Sequence, residues 1–231
     1  MRKLPSKATL ANMVFAFVLC NWLTAALTLG WDRAHAGQPL RIVVFGDSLV
    51  AGLGLKPSDA FPAQLERALK ARGHSVEVIN AGVSGDTTAG GLARLAWAVP
   101  ERTDAVILEL GANDALRGLD PARAKSNLDK IITTIRAHGA EVLLAGMMAP
   151  RSLGKDYVRA FEGMYPDLAN KYGLILYPFF LEGVAMDPKL NLDDGLHPNP
   201  RGVAEITKNI LPAVEQLIER ARAKHATATK G

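Results

Sequence analysis

The chain has 231 residues, of which 48% are hydrophobic and 22% are charged, with 27 Lys and Arg against 23 Asp and Glu. This length is enough for one globular domain with a sizeable core. The only cysteine is Cys20, so the chain forms no internal disulfide and no structural zinc site built on several cysteines.

The first 36 residues have the composition of a secretory signal peptide. Arg2, Lys3 and Lys7 make the start positive, residues 11–29 are mostly apolar, and Ala34-His35-Ala36 has the small-x-small pattern of a cleavage site. We therefore expect cleavage after Ala36 and a periplasmic or secreted protein. An uncleaved membrane anchor is the alternative, because an apolar stretch of this length can just span a bilayer.

Residues 1–36 also account for most of the net charge. They contain four of the 27 Lys and Arg, one of the 23 acids, and Cys20. The remaining chain carries 23 basic and 22 acidic groups, a balance that gives no sign of nucleic acid binding. We expect no nucleic acid partner, no stable membrane insertion after signal removal, and a monomer.

Apolar, β-branched runs alternate with longer amphipathic stretches. Strands are predicted at residues 41–45, 76–80, 105–110, 141–146 and 174–177, and helices at residues 61–71, 91–99, 121–138, 157–172 and about 200–222. The strands are almost wholly apolar, which favours a parallel sheet covered on both faces. The pattern predicts a single α/β domain over residues 37–231, with three α/β/α layers, a five-stranded parallel sheet and a flexible tail at residues 221–231.

Four polar segments carry the residue types that acyl transfer needs. They are Gly46-Asp47-Ser48-Leu49, Asn80-Ala81-Gly82, Gly111-Ala112-Asn113-Asp114 and Asp194-Gly195-Leu196-His197. The first three each follow a predicted strand, and a doubly wound sheet builds its active site outside the carboxyl ends of its strands. Together they offer a hydroxyl nucleophile, an imidazole base with a nearby carboxylate, and donors for an oxyanion.

Ser48 is the candidate nucleophile. It opens a helical turn after the first predicted strand, where unpaired N–H groups and the helix dipole favour negative charge. Helix capping is the alternative role for this serine. Val50 stands where the motif Gly-x-Ser-x-Gly requires its second glycine, so an ordinary α/β-hydrolase elbow is disfavoured.

His197 is the candidate base. Asp194, three residues earlier, can bond one imidazole nitrogen and leave the other free to take a proton. The alternative is a surface Asp-His pair of little energetic value. Ser84, in Ser84-Gly85-Asp86-Thr87, also follows a strand but has no matching histidine, so we interpret that segment as a loop at the floor of the pocket.

The predicted oxyanion donors are the backbone N–H groups of Ser48 and Gly82 and the side-chain amide of Asn113. A tight turn at Gly82 and a helix cap at Asn113 are the alternatives. Asp47 and Asp114 are expected to bond neighbouring loop amides and so hold Ser48 and Asn113 in place. No helical histidine pair or clustered ligand spacing accompanies these acids, so we expect no metal and no cofactor.

The four segments resemble the conserved blocks of the GDSL or SGNH hydrolases, a family named for a serine, a glycine, an asparagine and a histidine. By this resemblance Ser48, Gly82, Asn113 and His197 are those residues, and Asp194 completes a catalytic triad. The resemblance extends over about residues 41–217, and it is specific because all four blocks occur in order with family-like spacing.

Within that family, the blocks are similar to those of the exported bacterial arylesterase and thioesterase I/lysophospholipase L1 branch, as is Tyr-Pro-Phe-Phe-Leu at residues 177–181. This resemblance implies a flavodoxin-like SGNH hydrolase fold and a cofactor-free serine esterase. Its substrates would be aryl and acyl esters, with thioesters or lysophospholipids also in range.

A substrate groove is predicted from the loops that follow Asn113 and the fourth strand. Leu116, Met147, Met148 and Pro150 place apolar and adaptable side chains near the carboxyl edge of the sheet. Packing into the core is the alternative role for these residues. Two other functions remain open on the same scaffold, namely a carbohydrate-directed O-deacetylase and a non-catalytic binding module.

Overall fold

A five-stranded parallel sheet lies at the centre of the fold in the computed structural model, which describes residues 38–228. The strands are β1 (Leu40–Gly46), β2 (Val76–Gly82), β3 (Ala105–Glu109), β4 (Glu141–Ala145) and β5 (Ile175–Tyr177). Their order, β2-β1-β3-β4-β5, is the flavodoxin-like one. The predicted signal peptide and its cleavage site lie outside the described residues, as do residues 229–231.

The helices of the described residues are α1 (Ser48–Ala51), α2 (Phe61–Ala71), α3 (Thr88–Ala98), α4 (Ala112–Leu116), α5 (Pro121–Ala137), α6 (Lys155–Tyr172) and α7 (Pro200–Ala228). These helices form two groups. In the first group α2 packs against α7, and in the second α3 packs against α5 and α5 packs against α6. Both groups contact the strands. The predicted three-layer α/β/α fold is therefore confirmed. Between residues 38 and 228, no helix is long and apolar enough to cross a membrane.

Every strand and helix predicted from residue 41 onward has an observed counterpart, and the last helix differs most. It continues to Ala228 instead of ending near residue 222. Ala221 is buried in the core, and Lys224 forms an ion pair with Glu141 of β4. Residues 221–228, predicted to belong to the flexible tail, are helical; Ala221 packs in the core, whereas residues 222–227 are exposed.

The strand register brings the polar segments to one edge of the sheet. Gly46, the last residue of β1, lies beside Gly82 at the end of β2 and beside Glu109 at the end of β3. The segments that follow these three strands therefore begin side by side at the carboxyl edge of the sheet. The crevice between β1 and β3, where the winding of the sheet reverses, is the place where this type of fold binds ligands.

Candidate active site

Three side chains form a continuous hydrogen-bonded chain at the carboxyl edge of the sheet. Oγ of Ser48 lies 2.9 Å from Nε2 of His197, and Nδ1 of His197 lies 2.6 Å from Oδ2 of Asp194. In this arrangement the imidazole can take the proton of a hydroxyl nucleophile while the carboxylate fixes its tautomer. Because His197 contacts Ser48 as well as Asp194, the Asp-His pair is not an isolated surface pair.

Helix α1 presents Ser48 to the imidazole. Its N-cap residue is Asp47, whose Oδ1 accepts a 3.0 Å hydrogen bond from the N–H of Leu49. Gly52, in the left-handed conformation, ends this helix after one turn and bonds the carbonyl of Ser48. Ser48 is therefore the first helical residue and not the cap, which leaves its hydroxyl available to His197.

The loop that carries His197 is held at both ends. The carbonyl of His197 accepts a 2.7 Å hydrogen bond from the N–H of Leu192. Asn199 caps α7 through its Oδ1, which accepts from the N–H groups of Arg201 and Gly202 at 3.0 and 3.1 Å. The imidazole thus belongs to a short loop that is fixed to the start of a long helix.

Asp194 accepts hydrogen bonds from three groups. Its Oδ1 receives the N–H groups of Leu196 and His197, each at 2.9 Å, and its Oδ2 lies against the His197 ring. The backbone N–H groups of His197 and Leu196, followed by the imidazole, lower the pKa of Asp194 from 3.8 to about 2. Asp194 is therefore a carboxylate at neutral pH and can stabilise an imidazolium.

Asn113 lies in α4, beyond the end of β3, and bonds Asp47. Its Nδ2 donates to Oδ2 of Asp47 at 3.0 Å. The amide nitrogen carries two N–H groups. One of them fixes the plane of the amide against Asp47, and the other remains for a ligand.

Gly82 lies at the end of β2, directly against α1. A Cβ at this position would be 2.2 Å from the backbone nitrogen of Ala51 and 2.8 Å from the carbonyl oxygen of Asp47, so only glycine fits. Its N–H donates to Oδ1 of Asn80 at 3.0 Å. The Asn80 side chain would have to turn away before this N–H could bond an oxyanion.

Asp114, expected to bond neighbouring loop amides, bonds the first residue of α3. Its carboxylate accepts from the N–H of Thr88 at 2.8 Å and from the Thr88 hydroxyl at 2.7 Å. Thr88 is the first residue of α3, where a negative charge is favourable. Asp114 thereby holds α4, and with it Asn113, against a neighbouring helix.

Comparison with known proteins identifies the family of this site. Residues 44–205 match the GDSL-like Lipase/Acylhydrolase family, and this span includes Ser48, Asp194 and His197. The chain belongs to this family. The family resemblance inferred from the sequence blocks is therefore confirmed.

Relatives of this GDSL hydrolase carry the names of ester hydrolases. The Arylesterase of Vibrio mimicus is 45% identical over 161 residues, which are 69% of this chain and 80% of that protein. The Thioesterase 1/protease 1/lysophospholipase L1 of Escherichia coli (strain K12) is 39% identical over 189 residues, 81% of this chain and 87% of that protein. The crystal structure of TesA is 40% identical, matches 77% of this chain and 99% of its own chain, and gives a TM-score of 0.73.

Arg94 is a buried residue near the site of this GDSL hydrolase that the sequence analysis missed. It donates to the carbonyls of Ala81 and Gly46, each at 2.8 Å, and forms an ion pair with Asp86. Arg94 therefore joins the ends of β1 and β2, and Asp86 supports it. Ser84, in the same loop as Asp86, is exposed. A lone arginine within an apolar helix is the sequence signal that marks this position.

Glu109, the last residue of β3, is a second residue that the sequence analysis missed. It is fully buried, and its Oε2 accepts a 3.3 Å hydrogen bond from the N–H of Asp47. Burial and then the charge of Asp47 raise the pKa of Glu109 well above its ordinary value, and burial raises the pKa of Asp47 to about 6. A single acid in an otherwise apolar strand is the signal that marks it.

The four predicted groove residues do not all lie together. Met147 is buried, Met148 is 46% exposed, and both line a cavity of about 270 Å³ with Glu162, Tyr165, Pro166, Leu176 and Pro178. Leu116 and Pro150 are not part of this lining. Leu116 is 55% exposed on α4, three residues after Asn113. The methionine pair thus borders a space for an apolar group, whereas Leu116 is an exposed residue of α4.

The aspartates near the site have separate partners. Asp47 bonds Asn113, Asp86 pairs with Arg94, and Asp114 bonds a threonine of α3. Among residues 38–228, no three His, Cys, Asp or Glu side chains are grouped so that they could hold a metal ion.

Proposed function

We propose that this protein is a serine esterase whose nucleophile, base and orienting carboxylate are Ser48, His197 and Asp194. The chain is a carboxylic ester hydrolase by its family. The observation that carries the assignment of residues is the continuous hydrogen-bonded chain from Ser48 Oγ through the imidazole to Asp194. It lies in the crevice where this fold binds ligands.

Catalysis begins at the hydroxyl of Ser48. As Oγ attacks the ester carbonyl carbon, its proton passes to Nε2 of His197, and the Nδ1–H of the imidazolium donates to Asp194. The tetrahedral intermediate collapses when Nε2 gives the proton to the departing alcohol, which leaves the acyl group on Ser48. Water then attacks the acyl-enzyme with His197 as base, and the acid departs.

The negative charge of the intermediate is stabilised by hydrogen-bond donors around Ser48. The N–H of Ser48, at the start of α1, has no intrahelical partner, and Asn113 keeps one N–H free beside its bond to Asp47. The N–H of Gly82 becomes a third donor once Asn80 releases it. These donors supply the stabilisation without a cofactor.

A fluorophosphonate probe tests the nucleophile. We expect one label on the wild-type protein, on the peptide that contains Ser48, and no label on Ser48→Ala. Ser84→Ala is the matched control, because Ser84 is exposed in a loop without a base, and it should label as fully as the wild type. Undiminished labelling of Ser48→Ala, or a label on Ser84, would overturn the assignment.

The substrates are proposed to be aryl and acyl esters, with thioesters and lysophospholipids in range. The names of the Vibrio mimicus and Escherichia coli relatives support this choice. Met147 and Met148 border a cavity of about 270 Å³, and Leu116 and Pro150 are proposed to extend the apolar surface toward Asn113. Methionine adapts its shape to varied ligands, which suits a groove that accepts several acyl chains.

A panel of aryl esters with increasing acyl length tests the groove. Each buried methylene contributes up to ~0.8 kcal/mol, so two of them approach a tenfold rise in kcat/KM before the groove is filled. Thioesters, lysophospholipids and acetylated sugars complete the panel. Turnover confined to acetyl esters would overturn the proposal that an apolar groove binds the acyl chain, and would favour a carbohydrate O-deacetylase. No turnover of any compound in the panel would favour a binding module.

The protein is further proposed to be exported and to act as a monomer on small ester or lipid molecules, without nucleic acid or stable membrane insertion. The signal-like residues 1–36 and the nearly balanced charge of the rest support this proposal. N-terminal sequencing of protein from the periplasmic or extracellular fraction should begin at Gly37. A retained Met1 in the membrane fraction would show an uncleaved anchor instead.

A further inference from the structure

Within the part of the chain that the structure describes, Glu109 is a buried acid without a cationic partner. Its side chain is fully inaccessible, its Oε2 accepts from the N–H of Asp47 at 3.3 Å, and its Oε1 has no hydrogen-bond partner among the described residues. An ionised carboxylate left in this state is costly, because a buried charge needs a counter-charge or several hydrogen bonds. A protonated Glu109 removes this cost and gains a donor.

The groups around Glu109 do not neutralise it. Asp47, on the loop after β1, is fully buried beside it and adds to its negative surroundings. Tyr165 of α6 is neutral, because burial and then the charges of Glu109, Asp114 and Asp47 raise its pKa well above the ordinary value, so it supplies no positive charge. The nearby charge of His197 favours the ionised form of Asp47, not of Glu109. Since two adjacent buried carboxyl groups do not both ionise, one of them keeps its proton.

The surroundings of the two carboxyl groups favour the proton on Glu109. Burial and the charge of Asp47 both raise the pKa of Glu109, whereas Asp47 is stabilised as an anion by the N–H of Leu49 and the amide of Asn113. Glu109 and Asp47 are also linked through their side chains, with Glu109 as the group that gains from holding the proton.

We propose that Glu109 is a positioning residue for the oxyanion amide: as a protonated acid it donates to the carboxylate of Asp47, which in turn orients Asn113. The geometry behind the proposal is a buried cluster: the N–H of Asp47 donates to Oε2 of Glu109 at 3.3 Å, and the Asp47 carboxylate accepts from Leu49 and Asn113 at 3.0 Å each. The inference rests on the proposed function, in which Asn113 is an oxyanion donor. Glu109 itself does not touch the substrate.

Two substitutions of similar size separate donation from packing. Glu109→Met fills the space but donates nothing, and we expect kcat for an aryl ester to fall by about 10- to 100-fold, the effect of losing one hydrogen bond to a charged group. KM should change little, because the loss falls on the transition state. Glu109→Gln keeps a donor toward Asp47 and should recover most of the turnover that Glu109→Met loses.

A double-mutant cycle shows whether Glu109 acts through Asn113. Once Asn113 is replaced by Ala, the group that Glu109 positions is gone, so adding Glu109→Met should lower kcat far less than it does in the wild type. Full additivity, or equal kcat values for Glu109→Gln and Glu109→Met, would overturn the inference. A wild type without ester turnover would instead refute the proposed function.

The pH profile decides the question if Glu109→Met does not fold. We expect the wild type to lose kcat as the pH rises through the raised pKa of Glu109, because the ionised group stops donating to Asp47. Glu109→Gln cannot ionise and should not show this decline. Alkaline profiles that superimpose for the two proteins would overturn the inference.

Discussion

The side-chain amide of Asn113 donates a 3.0 Å hydrogen bond to the carboxylate of Asp47. Asp47 also caps α1, which begins with Ser48. One buried carboxylate thus links the proposed nucleophile, which follows β1, to the proposed oxyanion donor, which follows β3. These strands are neighbours in the sheet, so the spacing between nucleophile and donor depends on the Asp47 side chain.

Asn113→Ala should lower kcat by about 100- to 1000-fold, which is the usual effect of removing one oxyanion donor. KM and the thermal midpoint should change little, because the lost interaction forms fully only in the transition state. Asn170→Ala, at an exposed position of α6, is the matched control and should behave as the wild type. An effect limited to KM, or loss of folding, would contradict the donor role.

Asp194→Asn should lower kcat by about 100- to 10,000-fold, because an amide favours the imidazole tautomer that cannot accept the serine proton. Asp193→Asn changes the adjacent, exposed aspartate and is the matched control. The kcat values of both variants are measured by steady-state kinetics with the same aryl ester. Equal activities of the two variants would show that Asp194 does not orient His197.

The stability that Asp194 provides should depend on pH in the acid range. Its pKa is lowered to about 2, so its bonds are complete above the ordinary value of 3.8 and are lost as the pH falls through about 2. The thermal midpoint of the wild type minus that of Asp194→Asn should therefore shrink as the pH falls below about 4. A difference that grows with acidity would contradict the lowered pKa.

Gly82→Ala should reduce both turnover and the thermal midpoint. The new Cβ would lie 2.2 Å from the backbone nitrogen of Ala51, so α1 must shift, and Ser48 shifts with it. Gly163→Ala is the control, because a Cβ there meets nothing within 4 Å in the middle of α6. That control should raise stability by about 0.5–1 kcal/mol. A fully active and stable Gly82→Ala protein would refute the close packing of α1 on β2.

Glu109→Gln should gain thermal stability over the wild type as the pH rises. The pKa of Glu109 is raised in the folded state, so its stabilising effect is present at low pH and is lost as the pH rises through that raised value. Glutamine does not titrate, and Asp47 remains in both proteins. Thermal midpoints of Glu109→Gln and the wild type, measured from acid to alkaline pH, should therefore diverge. Those of the exposed-site control Glu219→Gln should follow the wild type. A difference that stays constant with pH would contradict the raised pKa.

The sequence by itself determined the fold class and the chemical groups of the site. Apolar runs of strand length alternating with amphipathic stretches specify a parallel sheet between helices, because these are local patterns of burial. Ser48, Gly82 and Asn113 could be placed at one edge because each follows a strand, and the carboxyl ends of parallel strands share an edge. The spacing of Asp194 and His197 allowed their contact to be predicted.

Only the tertiary structure decided how these groups are held. Asp47 rather than Ser48 caps α1, Asn80 bonds the N–H of Gly82, and Asp114 bonds α3. The pairing of Glu109 with Asp47 likewise depends on the register that places the ends of β1 and β3 side by side. The ionisation of a carboxyl group follows from its burial and from the charges that distant segments bring to it, and the chain order alone does not specify either.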